Sequence, residues 1–181
     1  MLELVNNFQK AYAVRIDKLE WMSDSTKIQA KEKLAAMRKK IGYPDSWRDY
    51  SNVSIEKGKF FENVVSATKA QYEYQLAKLG NKVDKSEWFT TPSTVTAYNN
   101  PSGNEIVFPA GILQPPYFDN EADDALNYGG IGMVIGHEIT HTFDDQGAQY
   151  DKDGNVKNWW TEEDFAKFRA RTQQVIDLYN T

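Results

Sequence analysis

Apolar residues return every three or four positions over the first 22 residues, at Leu4, Val5, Phe8, Tyr12, Ile16 and Leu19, with charged residues between them. That period predicts an amphipathic helix. A second helix follows, capped by Asp24 or Ser25, with Ile28, Leu34, Ala35 and Met37 on its apolar face. Its stop signal is "KKIGYPD", where Lys39 and Lys40 fall in the last turn, Gly42 at the C-cap and Pro44 just beyond. Residues 1–43 are thus expected to form a helical hairpin. "SWRDYSNVSI" reads as loop, and residues 59–79 as a third helix ended by Gly80 and Asn81. From 88 to 118 the period changes: "STVTAY" and "EIVFPAGIL" flank the turn "NNPSGN", which predicts a hairpin or short mixed sheet. A helix over 124–143, a turn at "DKDGN" and a last helix over 161–180, with Thr161 as N-cap and Asp164 three residues on, complete the chain. The pattern as a whole is α+β and mainly α.

Composition narrows the reading. The chain has 181 residues, 40% of them hydrophobic, enough for one domain with its own core. A net charge of −5 gives no electrostatic footprint for nucleic acid or for an anionic membrane surface. No run of 18 apolar residues occurs, and "MLELVNNFQK" lacks the basic and apolar regions of an export signal. With no cysteine, disulfides and thiolate metal sites are excluded, leaving His, Asp and Glu as metal ligands. "DKDGN" resembles part of a calcium loop, but its glycine stands fourth instead of sixth, so a plain turn is expected.

Both histidines of the chain lie in "VIGHEITHTFDD", residues 134–145. Four apart on a helix, His137 and His141 share one face with Cβ atoms about 5 to 6 Å apart, so both imidazoles reach one Zn2+. Glu138 sits about 100° around the helix from His137, displaced from the ligands yet beside them. A general base belongs there: the metal lowers the pKa of a bound water towards about 7, Glu138 takes its proton, and the peptide carbonyl is attacked. The competing reading is a histidine pair that merely shares a helix face. It is weakened by the apolar "NYGGIGMVIG" before the motif, where bare polar groups are costly, and by Asp144 and Asp145 after it, where a carboxylate holds the second imidazole nitrogen.

Four stretches, "KIGYPDSW", "NEIVFPAGILQPPYF", "LNYGGIGMVIGHEITHTFDD" and "DKDGNVKNWW", resemble in the same order the neprilysin and endothelin-converting-enzyme family of zinc metalloendopeptidases. The resemblance runs from about Ala11 to the end of the chain. It implies a thermolysin-like (gluzincin) catalytic-domain fragment, mainly helical, with a small β-sheet whose edge strand receives the substrate. It also implies cleavage of oligopeptides on the amino side of hydrophobic residues, with one Zn2+ per parent protein. His137 and His141 match the family's first two zinc ligands and Glu138 its base. Ile112, Tyr117, Phe118, Met133 and Val134 match the wall of the hydrophobic S1′ pocket, although core packing accounts for the same five residues. Ala97 matches the second member of the Asn-Ala pair that holds the substrate backbone. Thr96 replaces the asparagine, giving one hydroxyl in place of an amide.

The family's third ligand, a glutamate, belongs to a motif this sequence does not contain. The expectation is therefore an N-terminal part of a catalytic domain, inactive alone, with zinc weak or absent. Apolar surface around Met133, Val134 and Ile135 is then uncovered and favours self-association. The parent is expected outside the cytoplasm, periplasmic or secreted, with the cytoplasm as the alternative. Two rivals stand beside this reading. One is a compact metallopeptidase with Asp144, Asp145, Asp151 or Asp153 as third ligand; the metzincin pattern is excluded because its third histidine position falls on Gly147. The other is a non-enzymatic helical binding module with a vestigial motif.

Overall fold

The computed structural model describes residues 1–180. The chain forms two compact units, one made of Met1–Tyr43 with the stretch from Thr90 onward, the other of Pro44–Phe89. The single domain expected from length thus has a separate insertion after Tyr43.

The first unit opens with α1, Leu2–Asp17, which buries Leu4, Val5 and Ile16 and packs Phe8 and Tyr12 against the core. The next helix, α2, spans Asp24–Ala36. Its cap is Ser23, one residue before the expected ones, whose side chain accepts from Thr26 N. The buried positions of α2 are Thr26, Ala30, Lys33 and Leu34, while Ile28 is exposed, so the apolar face expected at Ile28 is turned outward.

The helical hairpin over 1–43 needs correction. Met37 is extended, with ψ 125°, and Arg38–Gly42 is a strand, β1. Its partner β3, Glu105–Pro109, runs parallel to it, in register from Arg38 opposite Glu105 to Gly42 opposite Pro109. β2, Tyr98–Asn100, pairs antiparallel on the other side, giving the order β1-β3-β2. β3 is buried along its whole length, as a central strand covered on both faces should be. Lysines 39 and 40 do not sit in a helix end at all: Lys40 pairs with the buried Glu105 at 2.8 Å. The turn "NNPSGN" tightens into a short 3-10 helix, Pro101–Gly103, followed by Asn104 with φ 46°.

Next come α4, Asp124–Gly129, and α5, Ile131–His141. The one continuous helix expected over 124–143 is broken at Gly130, where ψ is −95°. A Cβ there would lie 2.6 Å from the carbonyl oxygen of Tyr117, and that carbonyl accepts from Ile131 N at 2.7 Å. The second helix is thus started by a bond from a distant turn. "DKDGN" is a turn between Tyr150 and Val156: Asp151 accepts from the backbone N–H of Asp153 and Asn155, and Gly154 has φ 86°. The last helix, Glu162–Tyr179, is capped by Thr161, which accepts from Asp164 N.

The second unit centres on the helix Phe60–Leu76, α3 in the order of the chain. Ala70 is its buried residue, and Phe60 and Phe61 at its start are exposed. Lys78 pairs with Glu87 at 2.6 Å, and the Arg48 guanidinium stacks on Tyr74.

Candidate active site

α5 is seated before any chemistry is considered. Ile131, Ile135 and Ile139 recur every four residues and are all fully buried, forming one apolar stripe. Gly132 and Gly136 lie against the Phe8 ring; a Cβ on Gly132 would come within 3.0 Å of it. These small residues let α1 pack close to the helix. Tyr12 adds a polar hold, since its hydroxyl donates to Gly136 O at 3.0 Å and also meets the Thr140 hydroxyl. From the sheet, the Asn99 amide donates to Glu138 O and to Thr142 Oγ1, both at 2.9 Å.

On the outward face, the Nε2 atoms of His137 and His141 lie 2.9 Å apart. Nδ1 of His141 is 2.6 Å from Asp144 Oδ2. With a carboxylate there, Nδ1 carries the proton and Nε2 presents its lone pair. Two nitrogens on one tetrahedral zinc stand about 3.3 Å apart, given bonds of about 2.0–2.1 Å. The pair therefore needs to open by only a few tenths of an ångström to accept the ion, and the two rings fit zinc. Glu138 is buried beside them. Burial pushes its carboxyl pKa upward, against the opposing pull of the His137 and His141 rings.

The Asp144 carboxylate is fully used: its other oxygen accepts from Gln146 N at 3.0 Å and Gly147 N at 2.8 Å. Asp151 is held in its own turn. Among the described residues, no three His, Asp or Glu side chains cluster closely enough to hold a metal ion. The compact arrangement with a local aspartate as third ligand is thus not formed.

The residues matched to a specificity pocket occupy different environments. Ile112 is in the core at 5% exposure, whereas Phe118, Val134 and Ala97 are half-buried against it. Tyr117 and Met133 are exposed, at 39% and 67%. The bond from Ile131 N to Tyr117 O ties the turn carrying Tyr117 and Phe118 to the first turn of α5. Thr96 uses its hydroxyl locally, on Ala97 O at 3.2 Å. Ile135, expected to be uncovered with Met133 and Val134, is instead fully buried because it belongs to the isoleucine stripe.

Three residues around α5 have no counterpart in the motif: Tyr12, Asn99 and Lys33. Lys33 was detectable, since it falls in step with Thr26, Ala30 and Leu34, all buried on one face of α2. Tyr12 and Asn99 act through partners far along the chain, which periodicity does not report.

Residues 96–181 and 1–44 each match a profile of peptidase family M13. Neprilysin from Oryctolagus cuniculus is 41% identical over 98% of this chain and 25% of its own length. Among solved structures, a zinc metalloprotease of Mycobacterium tuberculosis in complex with an inhibitor superposes with a TM-score of 0.94. It is 53% identical, over 98% of this chain and 27% of that one. PepO from Lactobacillus rhamnosis follows at a TM-score of 0.84 and 38% identity, over 93% of this chain and 27% of that one. The chain thus spans about a quarter of the length of these relatives.

Proposed function

The chain belongs to peptidase family M13, and from that premise we propose that the parent protein is a zinc-dependent endopeptidase acting on oligopeptides, in which His137 and His141 hold the metal and Glu138 is the general base. The observation that carries this reading is the 2.9 Å approach of two imidazole nitrogens beside a buried carboxylate. Bound zinc would supply a Lewis acid that acidifies water and polarises the scissile carbonyl. Glu138 takes the proton of the attacking water and returns it to the leaving amine. Its raised pKa makes the carboxylate a better base for the first half of that transfer. Asp144 orients His141 through Nδ1.

Substrate selection is assigned to the apolar surface made by Ile112, Tyr117, Phe118, Met133 and Val134, with a hydrophobic side chain on the carboxyl side of the cut bond. Thr96 and Ala97 face the substrate backbone. Exposed Met133 is the apolar side chain most open to such a partner, or to another copy of this chain. With two protein ligands in reach, the 181-residue chain by itself binds zinc weakly and does not turn over peptide. A site outside the cytoplasm accords with the reading; no helix among the described residues is long and apolar enough to cross a membrane.

Calorimetric zinc titration of the 181-residue chain, with a quenched hydrophobic peptide as probe, tests the proposal. Zinc should bind weakly to the native chain, unchanged in Glu138→Gln and undetectably in His137→Ala or His141→Ala. Unaltered zinc binding in either histidine variant overturns the ligand assignment. In whichever form of the protein cleaves peptide, Glu138→Gln should lower kcat by about 10²–10⁴. Sub-micromolar zinc affinity with chelator-sensitive cleavage by the 181 residues alone would restore the compact enzyme.

A further inference from the structure

Lys33 is 1% exposed, and its ammonium makes its hydrogen bonds to two carbonyls, Thr142 O at 2.8 Å and Gly147 O at 2.5 Å. It also lies 6.0 Å from the ring centre of Phe143 and 5.5 Å from that of Trp159. Thr142 is the C-cap of α5, and its carbonyl is among the last four of the helix, which have no partner within it. The two carbonyls bracket the turn over 142–147. Inside that bracket stands Asp144, with one oxygen on His141 Nδ1 and the other on the N–H groups of Gln146 and Gly147.

The turn has little freedom to be built otherwise. A Cβ on Gly147 would stand 1.9 Å from His141 O. An apolar side chain at position 33 would leave the inward Thr142 carbonyl without a donor, costing about 1–3 kcal/mol, and Gly147 O with only its bond from Tyr150 N. Rotating them towards water would swing Asp144 away from the imidazole. A buried ammonium is itself unfavourable: burial lowers the Lys33 pKa to about 8, although Asp144 and Asp151 pull it upward. A methionine of similar length would fill the space without that cost, so packing alone does not account for a cation here.

We propose that Lys33 is a positioning residue for His141: by clamping both ends of the 142–147 turn, it holds Asp144 where that carboxylate keeps the imidazole in its Nδ1–H form, with Nε2 directed at Nε2 of His137. The role in metal binding rests on the zinc reading above. The effect on the tautomer does not.

The test uses the metal-free 181-residue protein labelled with 15N, reading the His141 tautomer from long-range 1H–15N correlations, followed by zinc titration. Lys33→Met should lose the single Nδ1–H form and bind zinc about 10- to 100-fold more weakly. Leu34→Ala, which weakens the same helix, should melt earlier but keep the tautomer. The chain has no cysteine, so Lys33→Cys alkylated with bromoethylamine before refolding restores an ammonium at nearly the same reach. Its bromopropane adduct is the neutral counterpart. The charged adduct should recover the tautomer and the neutral one should not. Equal tautomers in the two adducts, or a native tautomer in Lys33→Met, overturn the proposal. If the variants fail to fold, the unaltered protein decides: the Lys33 ammonium protons should exchange far more slowly than those of surface lysines, and equal rates overturn the clamp. A variant that loses the tautomer, in a protein that takes up no zinc at all, supports the clamp and sinks the zinc reading instead.

Discussion

α5 and α3 are both rich in apolar side chains, and they end in opposite environments. α5 buries Ile131, Ile135 and Ile139 completely. α3 buries Ala70 and leaves Phe60 84%, Phe61 74% and Val65 50% exposed. The amount of apolar surface does not explain the contrast. What separates them is the shape of the surroundings: Gly132 and Gly136 admit the Phe8 ring, Tyr12 and Asn99 take up backbone carbonyls of α5, and Lys33 holds the carbonyl of its C-cap. A helix becomes a rigid platform when its apolar stripe and its orphaned polar groups are both met by neighbours. The exposed face of α5 then carries His137 without having to stabilise anything itself.

If that contrast is right, the largest effect should come from the stripe. Ile135→Ala should cost about 2–5 kcal/mol in urea denaturation, the range for large-to-small changes at well-packed sites. A cost below about 1 kcal/mol would mean that α5 is held by its polar ties alone. Gly147→Ala should follow, at about 1–3 kcal/mol, because the added methyl meets the His141 carbonyl and the turn must move. That variant should also disturb the His141 ring resonances. If they are unchanged, the turn does not govern the imidazole.

Acid gives a smaller, graded loss. Asp164 is buried, and burial alone would raise its pKa. The hydroxyls of Ser23, Thr26 and Thr161 and the Ser23 backbone N–H outweigh burial and lower the pKa from the ordinary 3.8 to about 2. A depressed carboxylate pKa means that the folded form binds its proton later than the unfolded form. Its contribution is therefore complete above about pH 4 and disappears as pH falls towards 2. Asp164→Asn should flatten that part of the stability profile; an unchanged slope would remove Asp164 from the account. The smallest effect belongs to α3: Phe60→Ser should change stability by no more than about 0.5 kcal/mol, as expected for an exposed position. A larger loss would show that Phe60 is packed in solution and would erase the contrast.

The motif was readable because its logic is local. His137, Glu138 and His141 need only helical spacing to converge, and Ile131, Ile135 and Ile139 declare which side of that helix goes inward. Thr161 as N-cap was equally plain, because its hydroxyl meets Asp164 N three residues on, but the Asp164 carboxylate goes to Ser23 and Thr26 instead of back to the Thr161 backbone. Errors began where a residue's partner lay far along the chain. "RKKIG" looks like a helix end, yet β3 offers it a parallel ladder, and that distant pairing overrides a weak helical signal. Gly129 and Gly130 allow the break before α5, but the Tyr117 carbonyl is what makes it.

The sequence by itself therefore determined that His137, Glu138 and His141 meet on one helix, and which face of that helix carries them, because both follow from residue identity and spacing along one helix. Only the tertiary structure decided how that helix is held: the lysine beneath its last turn, the tyrosine reaching in from the first helix and the asparagine reaching across from the sheet. Those depend on which distant backbone groups are left without partners after folding, and the order of residues along the chain does not state that.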